Sequence, residues 1–245
     1  MIIENKKYSA EDGWSAPARL LFNHFDAWAA TFCIAIVALL LHDAVTLQTA
    51  VLAMTVTVGY WLAFTLNDYY DAPQDALDAK KARRNFFVLH QPSAWQIRLF
   101  VGGLPAVFIF VFAQFGWRGL LLLALCYFIM WSYSAPPLRI KERPGFDIAV
   151  HACFVESFPY LLMLLLTQTS WTQLDWVILA ITFINSLNAQ IEQQAHDFDL
   201  PIVQENNFAL RRGRQLTQRL LKGITAVLFI FIIFFILNGT IPAFL

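Results

Sequence analysis

Residues 67–75 read Asn-Asp-Tyr-Tyr-Asp-Ala-Pro-Gln-Asp and begin where a long apolar segment, 45–66, ends. Asp68, Asp71 and Asp75 are spaced by three and four residues, which on a helix places their carboxylates on one face. Carboxylate oxygens at the mouth of an apolar bundle suit Mg²⁺, which shares its remaining coordination positions with water and substrate phosphates. The alternative interpretation is a solvated helix end with an acidic face.

The composition is that of a membrane protein, because 58% of the 245 residues are hydrophobic and only 14% are charged. The formal net charge is zero, so the chain has no overall field that would favour nucleic acid, and we predict no nucleic-acid partner. Cys33, Cys126 and Cys153 lie inside apolar runs without metal-ligand spacing and are interpreted as small core residues. The first 25 residues lack the apolar region of a secretory signal peptide.

The apolar segments predict an all-α, polytopic bundle of about seven membrane-spanning helices that forms a single domain over residues 1–245. Gly116-Trp117-Arg118-Gly119 predicts a tight turn between two antiparallel helices. The seven predicted spans lie near 26–42, 45–66, 97–115, 118–132, 148–167, 174–193 and 216–237.

The basic residues predict the orientation of these spans. With a cytoplasmic N-terminus, every Lys and Arg except Arg118 falls in the inside segments or the adjoining helix ends. This asymmetry is what the positive-inside rule requires. We therefore expect an integral protein of a bacterial inner membrane, with the chemistry in its long cytoplasmic loops and chemically plain outer connections. The inside segments are 1–25, 67–96, 133–147 and 194–215.

Two motifs resemble one family. Residues 67–75 match the NDxxDxxxD signature of the UbiA superfamily of intramembrane prenyltransferases. Residues 133–145, Tyr-Ser-Ala-Pro-Pro-Leu-Arg-Ile-Lys-Glu-Arg-Pro-Gly, are similar to that family's YSxPPxRxK loop between its fourth and fifth spans. The two motifs occur in the order that the family has them.

This resemblance implies a helical bundle in which Mg²⁺ holds the diphosphate of an isoprenyl donor while the prenyl tail lies among the helices. The acceptor would be a hydrophobic molecule such as a quinone precursor, a carotenoid or another lipid. Metal ions and basic side chains would stabilise the negative charge on the leaving diphosphate. The implied metal ligands are Asp68, Asp71 and Asp75, and the implied substrate contacts are Asn67, Tyr133, Ser134, Arg139 and Lys141.

Lys81, in the basic run that also contains Lys80, Arg83 and Arg84, is a further candidate for a phosphate contact. The alternative for each residue of this run is an ordinary basic residue at a lipid headgroup.

The second acidic motif of the family departs from its pattern in this chain. The family usually has a DxxxD pair between its sixth and seventh spans, whereas here Asp197 takes the first position and Pro201 the second. We predict Asp197 as a metal ligand with Asp199 as its partner. The alternative is that the helical face carrying Glu192 supplies this second site, and Asn188 and Glu192 are predicted substrate contacts.

Typical members of the family have nine spans, so the last two helices are expected to be missing from the 245 residues. Their absence would leave an apolar flank for lipid or for another subunit, which makes a homo-oligomer a possible assembly.

Glu156 is the most unusual side chain within a predicted span, since a carboxylate in an apolar helix is costly and typically faces a cavity or a partner. One interpretation is that it orients the acceptor or acts as a base. The other is a protonated Glu that bonds Asn185 or Asn188 on a neighbouring helix. Pro159 is predicted to kink the same helix.

The predicted function is Mg²⁺-dependent transfer of an isoprenyl group to a hydrophobic acceptor. The residues Lys-Glu-Arg-Pro-Gly-Phe-Asp at 141–147 are similar to members that elongate carotenoids with dimethylallyl diphosphate. Two alternatives remain at this point: a membrane terpene cyclase of the same superfamily, and a non-catalytic lipid-binding or assembly protein with a degenerate second motif.

Overall fold

The computed structural model describes residues 20–196, 198 and 207–242, and within these ranges it contains helices and no strand. Each of the seven predicted spans lies on a helix. Six helical stretches have the length and hydropathy needed to cross a bilayer, and the remaining one, α1, is apolar and 17 residues long. The prediction of an all-α membrane bundle is therefore confirmed.

The spanning stretches, in chain order, are α1 (Phe25–Leu41), α2 (Leu47–Asp75), Ala94–Ala113, α7 (Gly116–Ser134), Phe146–Thr167, α10 (Gln173–His196) and α12 (Arg214–Leu237). The stretch Ala94–Ala113 comprises α5 (Ala94–Arg98), a π-helical segment (Leu99–Gly103) and α6 (Leu104–Ala113). The stretch Phe146–Thr167 comprises α8 (Phe146–Ala152), a π-helical segment (Cys153–Ser157) and α9 (Phe158–Thr167). The shorter helices are α3 (Ala79–Arg84), α4 (Phe86–Leu89) and α11 (Phe208–Arg212).

Helix α2 is longer than the apolar segment that predicts it. Its first turn is fixed by a capping box in which the Thr46 and Thr49 side chains each bond the other's backbone N–H. The helix then continues through 29 residues to Asp75, with Pro73 in its last turn. The acidic motif consequently lies on the final turns of a membrane helix and not in a loop.

Both π-helical segments precede a proline. Pro105 and Pro159 each stand two residues after a π segment, where their missing backbone N–H prevents regular helical hydrogen bonding. In the second segment, a π hydrogen bond from residue 159 to the Phe154 carbonyl is impossible. The Tyr60 hydroxyl of α2 donates to that carbonyl instead. The predicted distortion at Pro159 thus takes the form of a local change in helix winding.

The core forms where α1, α2 and α9 meet, around Ala35, Leu39, Leu52 and Met163, each at most 1% exposed. Helices α6 and α7 pack beside it as an antiparallel pair. A Cβ on Gly119 would lie 2.0 Å from the Phe112 carbonyl oxygen, so glycine permits this close approach. The turn between them falls at residues 114 and 115, slightly before the predicted one.

The end of the bundle opposite the acidic motif contains a buried carboxylate. Asp175, 1% exposed, accepts hydrogen bonds from the Tyr160 hydroxyl (2.6 Å) and the Thr172 backbone N–H (2.6 Å), and lies 2.8 Å from His42 Nε2. These contacts join α1, α9 and α10. Two of the predicted outer connections lie near residues 42–43 and 167–175. The expectation that they are chemically plain is wrong, because His42 and Asp175 stand in them and contact each other.

Candidate active site

A cavity of about 780 Å³ opens inside the bundle. Along α2 it extends from Thr55 to Asp75, which at 1.5 Å per residue corresponds to about 30 Å. Its deeper part is lined mainly by apolar and aromatic side chains, and its polar residues concentrate near Asp75, at the end we call the aspartate end. The deep lining includes Phe108, Phe112, Leu123, Met130, Phe154 and Leu162.

Asp68, Asp71 and Asp75 all line this cavity, as their spacing on one helix face predicts. Asp68 is 8% exposed and accepts a hydrogen bond from Asn23 Nδ2 (2.8 Å). Its two oxygens each lie 3.0 Å from His24 Nε2. The chain just before α1 therefore holds the first aspartate of the motif in place.

Asp71 is surrounded by donors. It accepts hydrogen bonds from Asn67 Nδ2 (2.9 Å) and Arg139 Nη2 (3.2 Å), and it forms an ion pair with Lys141 Nζ. Asn67 Oδ1 accepts from Lys141 Nζ (2.8 Å) and from the Ser134 hydroxyl (3.2 Å). The structure thus brings together Asn67, Asp71 and the loop of the second motif, as the resemblance implies.

Asp75 is held by Asn85, which is 2% exposed. Asn85 Nδ2 donates to Asp75 Oδ2 (2.8 Å) and to the Asp68 carbonyl (2.7 Å), while its Oδ1 accepts from the Phe87 backbone N–H (2.9 Å) and caps α4. One amide therefore ties the short helix α4 to two residues of the acidic motif.

The loop between α7 and α8 directs its basic side chains back toward α2. Arg139 adopts the left-handed region (φ 37°), and its backbone N–H bonds the Ala135 carbonyl at 2.9 Å. A single 3₁₀ turn, Ile140–Glu142, follows. Lys141 lines the cavity, whereas Arg139 reaches Asp71 without lining it and also donates to Gln74 Oε1 at 3.2 Å.

Asp147, at the start of α8, forms hydrogen bonds that connect α8 to α10 and α11 at the aspartate end. It is fully buried and accepts hydrogen bonds from Gly145 N–H (2.6 Å), Gln194 Nε2 (2.6 Å) and Phe208 N–H (3.0 Å). Gln194 Oε1 in turn accepts from the Ala209 backbone N–H at 3.1 Å. These bonds join α8, the end of α10 and the start of α11 beside the cavity.

The remaining predicted contacts divide into three groups. Tyr133 and Lys81 line the cavity, as does Arg84. Asn188 and Glu192 do not: Asn188 Oδ1 accepts from Thr225 of α12 (3.2 Å), and Glu192 is exposed. Their predicted substrate contacts stay predictions, with no geometry to support them. Asp197 and Asp199 lie outside the described residues, so the predicted second metal site does as well.

Comparison with known proteins agrees with this geometry. Residues 27–245 match the sequence profile of the UbiA prenyltransferase family. The chain belongs to this family. The resemblance inferred from the two motifs is thereby confirmed, and the UbiA-family chain is an integral, multi-pass membrane protein.

Two curated relatives, both named lycopene elongase/hydratase and both from Corynebacterium glutamicum, are 29% identical to it over 133 residues. The matched region covers 52% of this chain and 45% of each relative, so the chain spans about half the length of the curated relatives it matches.

Solved structures of a UbiA homolog from Archaeoglobus fulgidus have the same fold. The complex with GPP and Mg²⁺ matches with a TM-score of 0.71 and 20% identity over 91% of this chain and 78% of that one. The complex with DMAPP and Mg²⁺ matches with a TM-score of 0.68 and 19% identity over 90% and 78% of the two chains. These matches establish the UbiA fold for this chain.

The donor set of the aspartate end fits Mg²⁺ in its chemistry. Carboxylate oxygens from Asp68, Asp71 and Asp75 share one cavity wall, and Mg²⁺ in proteins commonly takes one or two carboxylates with water and phosphate as its other ligands. Across residues 20–196, 198 and 207–242, no three His, Cys, Asp or Glu side chains converge as a ready-made metal cluster. Water and a substrate phosphate are the ligands that commonly complete such a Mg²⁺ site.

Sequence reasoning missed several residues of this site, namely Asn23, His24, Asn85 and Asp147. Asn23 and His24 form a polar pair directly before the first apolar span, and Asn85 stands between the basic segment and the apolar residues 86–89. A polar pair at the end of a span on the same side as the motif is the signal that would have indicated Asn23 and His24, whereas Asn85 lies in a loop away from any span end.

Proposed function

We propose that this chain transfers an isoprenyl group from an isoprenyl diphosphate to a hydrophobic acceptor inside the membrane. One observation carries the proposal: three aspartates on one helix face, with Lys141 against the middle one, stand at the polar end of a long and mainly apolar cavity. A diphosphate and a prenyl chain have the same division into a charged head and an apolar tail. The aspartate end lies on the side that carries nearly all Lys and Arg residues. By the positive-inside rule, this side faces the cytoplasm.

The charged head would bind at the aspartate end. Asp68, Asp71 and Asp75 would hold Mg²⁺, which when bound with the diphosphate offsets the charge that develops on the leaving group. Lys141, only 14% exposed in its side chain, would donate to phosphate oxygens, and Arg139 behind Asp71 would add positive charge. Cleavage of the C–O bond sends its electron pair to the diphosphate, so these cations favour ionisation.

The allylic cation left behind would remain in the apolar part of the cavity. Phe108, Phe112 and Phe154 line that part, where little water is available to quench the cation. Aromatic faces in this position stabilise positive charge. A π-bond of the acceptor can then attack the cation and form the new carbon–carbon bond.

For the acceptor we propose an acyclic polyene of the carotenoid type. The support is the match to two relatives named lycopene elongase/hydratase, together with the length of the cavity along α2. For the donor we propose dimethylallyl or geranyl diphosphate, which are bound to the structurally similar UbiA homolog.

The test is a direct assay of the purified protein in lipid nanodiscs with dimethylallyl diphosphate, Mg²⁺ and lycopene. We expect released diphosphate and a lycopene product heavier by one or two prenyl groups, both abolished by EDTA and both lost in Asp71→Asn. The matched control is Asp43→Asn, the same change at an exposed residue of the opposite end whose positive φ of 49° an Asn tolerates.

Other outcomes would contradict the proposal. A cyclic hydrocarbon formed from the diphosphate without acceptor would identify a terpene cyclase. Binding of the diphosphate without its cleavage, under every donor and acceptor tried, would identify a non-catalytic lipid-binding protein.

A further inference from the structure

Glu156 stands on the cavity wall away from the acidic motif. Its two carboxylate oxygens lie 3.1 and 2.9 Å from Nδ2 of Asn185 on α10. The contact predicted as one of two alternatives therefore exists, with Asn185 as the partner. A single amide donor does not use all the lone pairs of a carboxylate, so Glu156 keeps oxygen acceptor capacity toward the cavity.

The π-helical segment explains how Glu156 reaches this wall. Apart from Glu156, the residues of this stretch that line the cavity follow one another at steps of one, three or four: Val150, His151, Phe154, Val155, Phe158 and Leu162. Glu156 is five residues after His151, and in an uninterrupted α-helix residues five apart point about 140° away from each other.

Within Cys153–Ser157 the π-helical winding turns the chain less per residue, so residues five apart point in more similar directions than they would in an α-helix. The winding thus adds a carboxylate to a face that α-helical geometry would have left without it.

The proposed reaction creates a need for such a group. When an allylic cation joins the π-bond of a polyene, the new carbon–carbon bond leaves a tertiary carbocation on the acceptor. That cation becomes a neutral alkene only if a neighbouring carbon loses a proton. A positioned carboxylate at the cavity wall is the kind of group that takes it.

We infer that Glu156 is the proton acceptor that ends prenyl transfer, an inference that rests on the proposed function with a polyene acceptor. The C–H electron pair forms the new double bond, and the proton passes to a Glu156 oxygen. The substrates thus give a prenylated alkene, diphosphate and one proton, which Glu156 returns to solvent before the next turnover. Water that reaches the cation first would give a tertiary alcohol instead.

His151 is the rival base on the same wall. The Ser186 hydroxyl donates to the His151 carbonyl (3.0 Å), so at 3.1 Å it accepts from His151 Nδ1–H, and Nε2 has no hydrogen bond to the described residues. The experiment therefore needs both residues as variants.

The experiment measures three quantities with dimethylallyl diphosphate and lycopene: diphosphate release, prenylated alkene and prenylated tertiary alcohol. In Glu156→Gln we expect alkene formation to fall about 100-fold with a much smaller loss of diphosphate release, and the alcohol to become the main prenylated product. Glu156→Asp should keep alkene as the main product at a reduced rate. Gln preserves an acceptor for Asn185, so a merely structural role would leave the alkene-to-alcohol ratio unchanged.

His151→Gln and the exposed control Asp43→Asn should keep the wild-type product ratio. An unchanged ratio in Glu156→Gln, or a changed one in His151→Gln alone, would overturn the assignment while leaving prenyl transfer intact. A wild-type protein that releases no diphosphate, or that releases it without prenylating lycopene, would overturn the proposed function or its acceptor class, and this inference with it.

Discussion

The two ends of the bundle both bury aspartates, but they surround them differently. Asp175 at one end bonds His42, Tyr160 and Thr172, and it does not line the cavity. Asp71 at the other end bonds an amide and two cations and does line it. The number of hydrogen bonds does not distinguish the two aspartates, whereas access to the cavity does.

Asp71→Asn is the strongest test of this difference between the two ends, and we expect it to have the largest effect on prenyl transfer. Prenyl transfer should fall on the order of 100- to 1,000-fold, because charge stabilisation at the leaving group is lost. The protein should still fold in detergent. Transfer assays and thermal unfolding on the same preparation check this, and near-wild-type turnover would mean that Asp71 is another structural carboxylate.

Lys141→Met should have the next largest effect on catalysis. Losing a hydrogen bond to a charged group costs about 1.5–3 kcal/mol, or roughly 10- to 100-fold in rate. Because Lys141 and Asp71 are an ion pair, the losses in the double variant should be far from additive. A double-mutant cycle on kcat/KM for the diphosphate measures this, and strict additivity would show that the pair has no joint role.

Asp175→Asn should reverse the pattern. The variant weakens the acceptor for the His42, Tyr160 and Thr172 donors, which we expect to cost about 1–3 kcal/mol of unfolding free energy. Transfer per folded molecule should remain close to wild type. Denaturation in detergent and transfer assays measure the two, and a large catalytic loss without destabilisation would remove the distinction between the ends.

Asp147→Asn should have the smallest combined effect on stability and transfer. It tests whether a buried carboxylate with hydrogen-bonding partners can lie at the aspartate end without taking part in the reaction. We expect the free energy of unfolding to fall by about 1 kcal/mol. Hydrogen exchange should become faster at the Phe208 N–H, which donates to Asp147. Transfer should fall only modestly, through Gln194, another partner of Asp147, which lines the cavity. A loss of transfer activity as large as that in Asp71→Asn would show that Asp147 takes part in the reaction.

Periodicity and motif spacing were sufficient to predict the spans and the shared face of Asp68, Asp71 and Asp75, and the family resemblance implied that the Lys141 loop belongs to the same site. They were insufficient for Asp147 and Asp175. Each lies in the first turn of a helix, where an acidic residue is ordinarily a solvated favourable charge, so only the packing of distant helices shows that it is buried.

Partners such as Asn23 and Asn85 were missed for a related reason. Each makes contacts with residues more than ten positions away, and no local pattern encodes them. Conversely, Glu192, His196 and Asp199 follow one another in the sequence at steps of four and three, yet Glu192 is exposed and outside the cavity lining.

Pro159 itself does not line the cavity, yet the winding before it decides which side chains do. Substituting alanine would restore one backbone N–H and remove the obstacle to a continuous α-helix, in which Glu156 would turn off the wall. Under the proposed function, the product could therefore change in evolution through residue 159, a position outside the cavity lining. For an engineer, residue 159 is a place to alter the product while Asp68, Asp71, Asp75 and Lys141 are left unchanged.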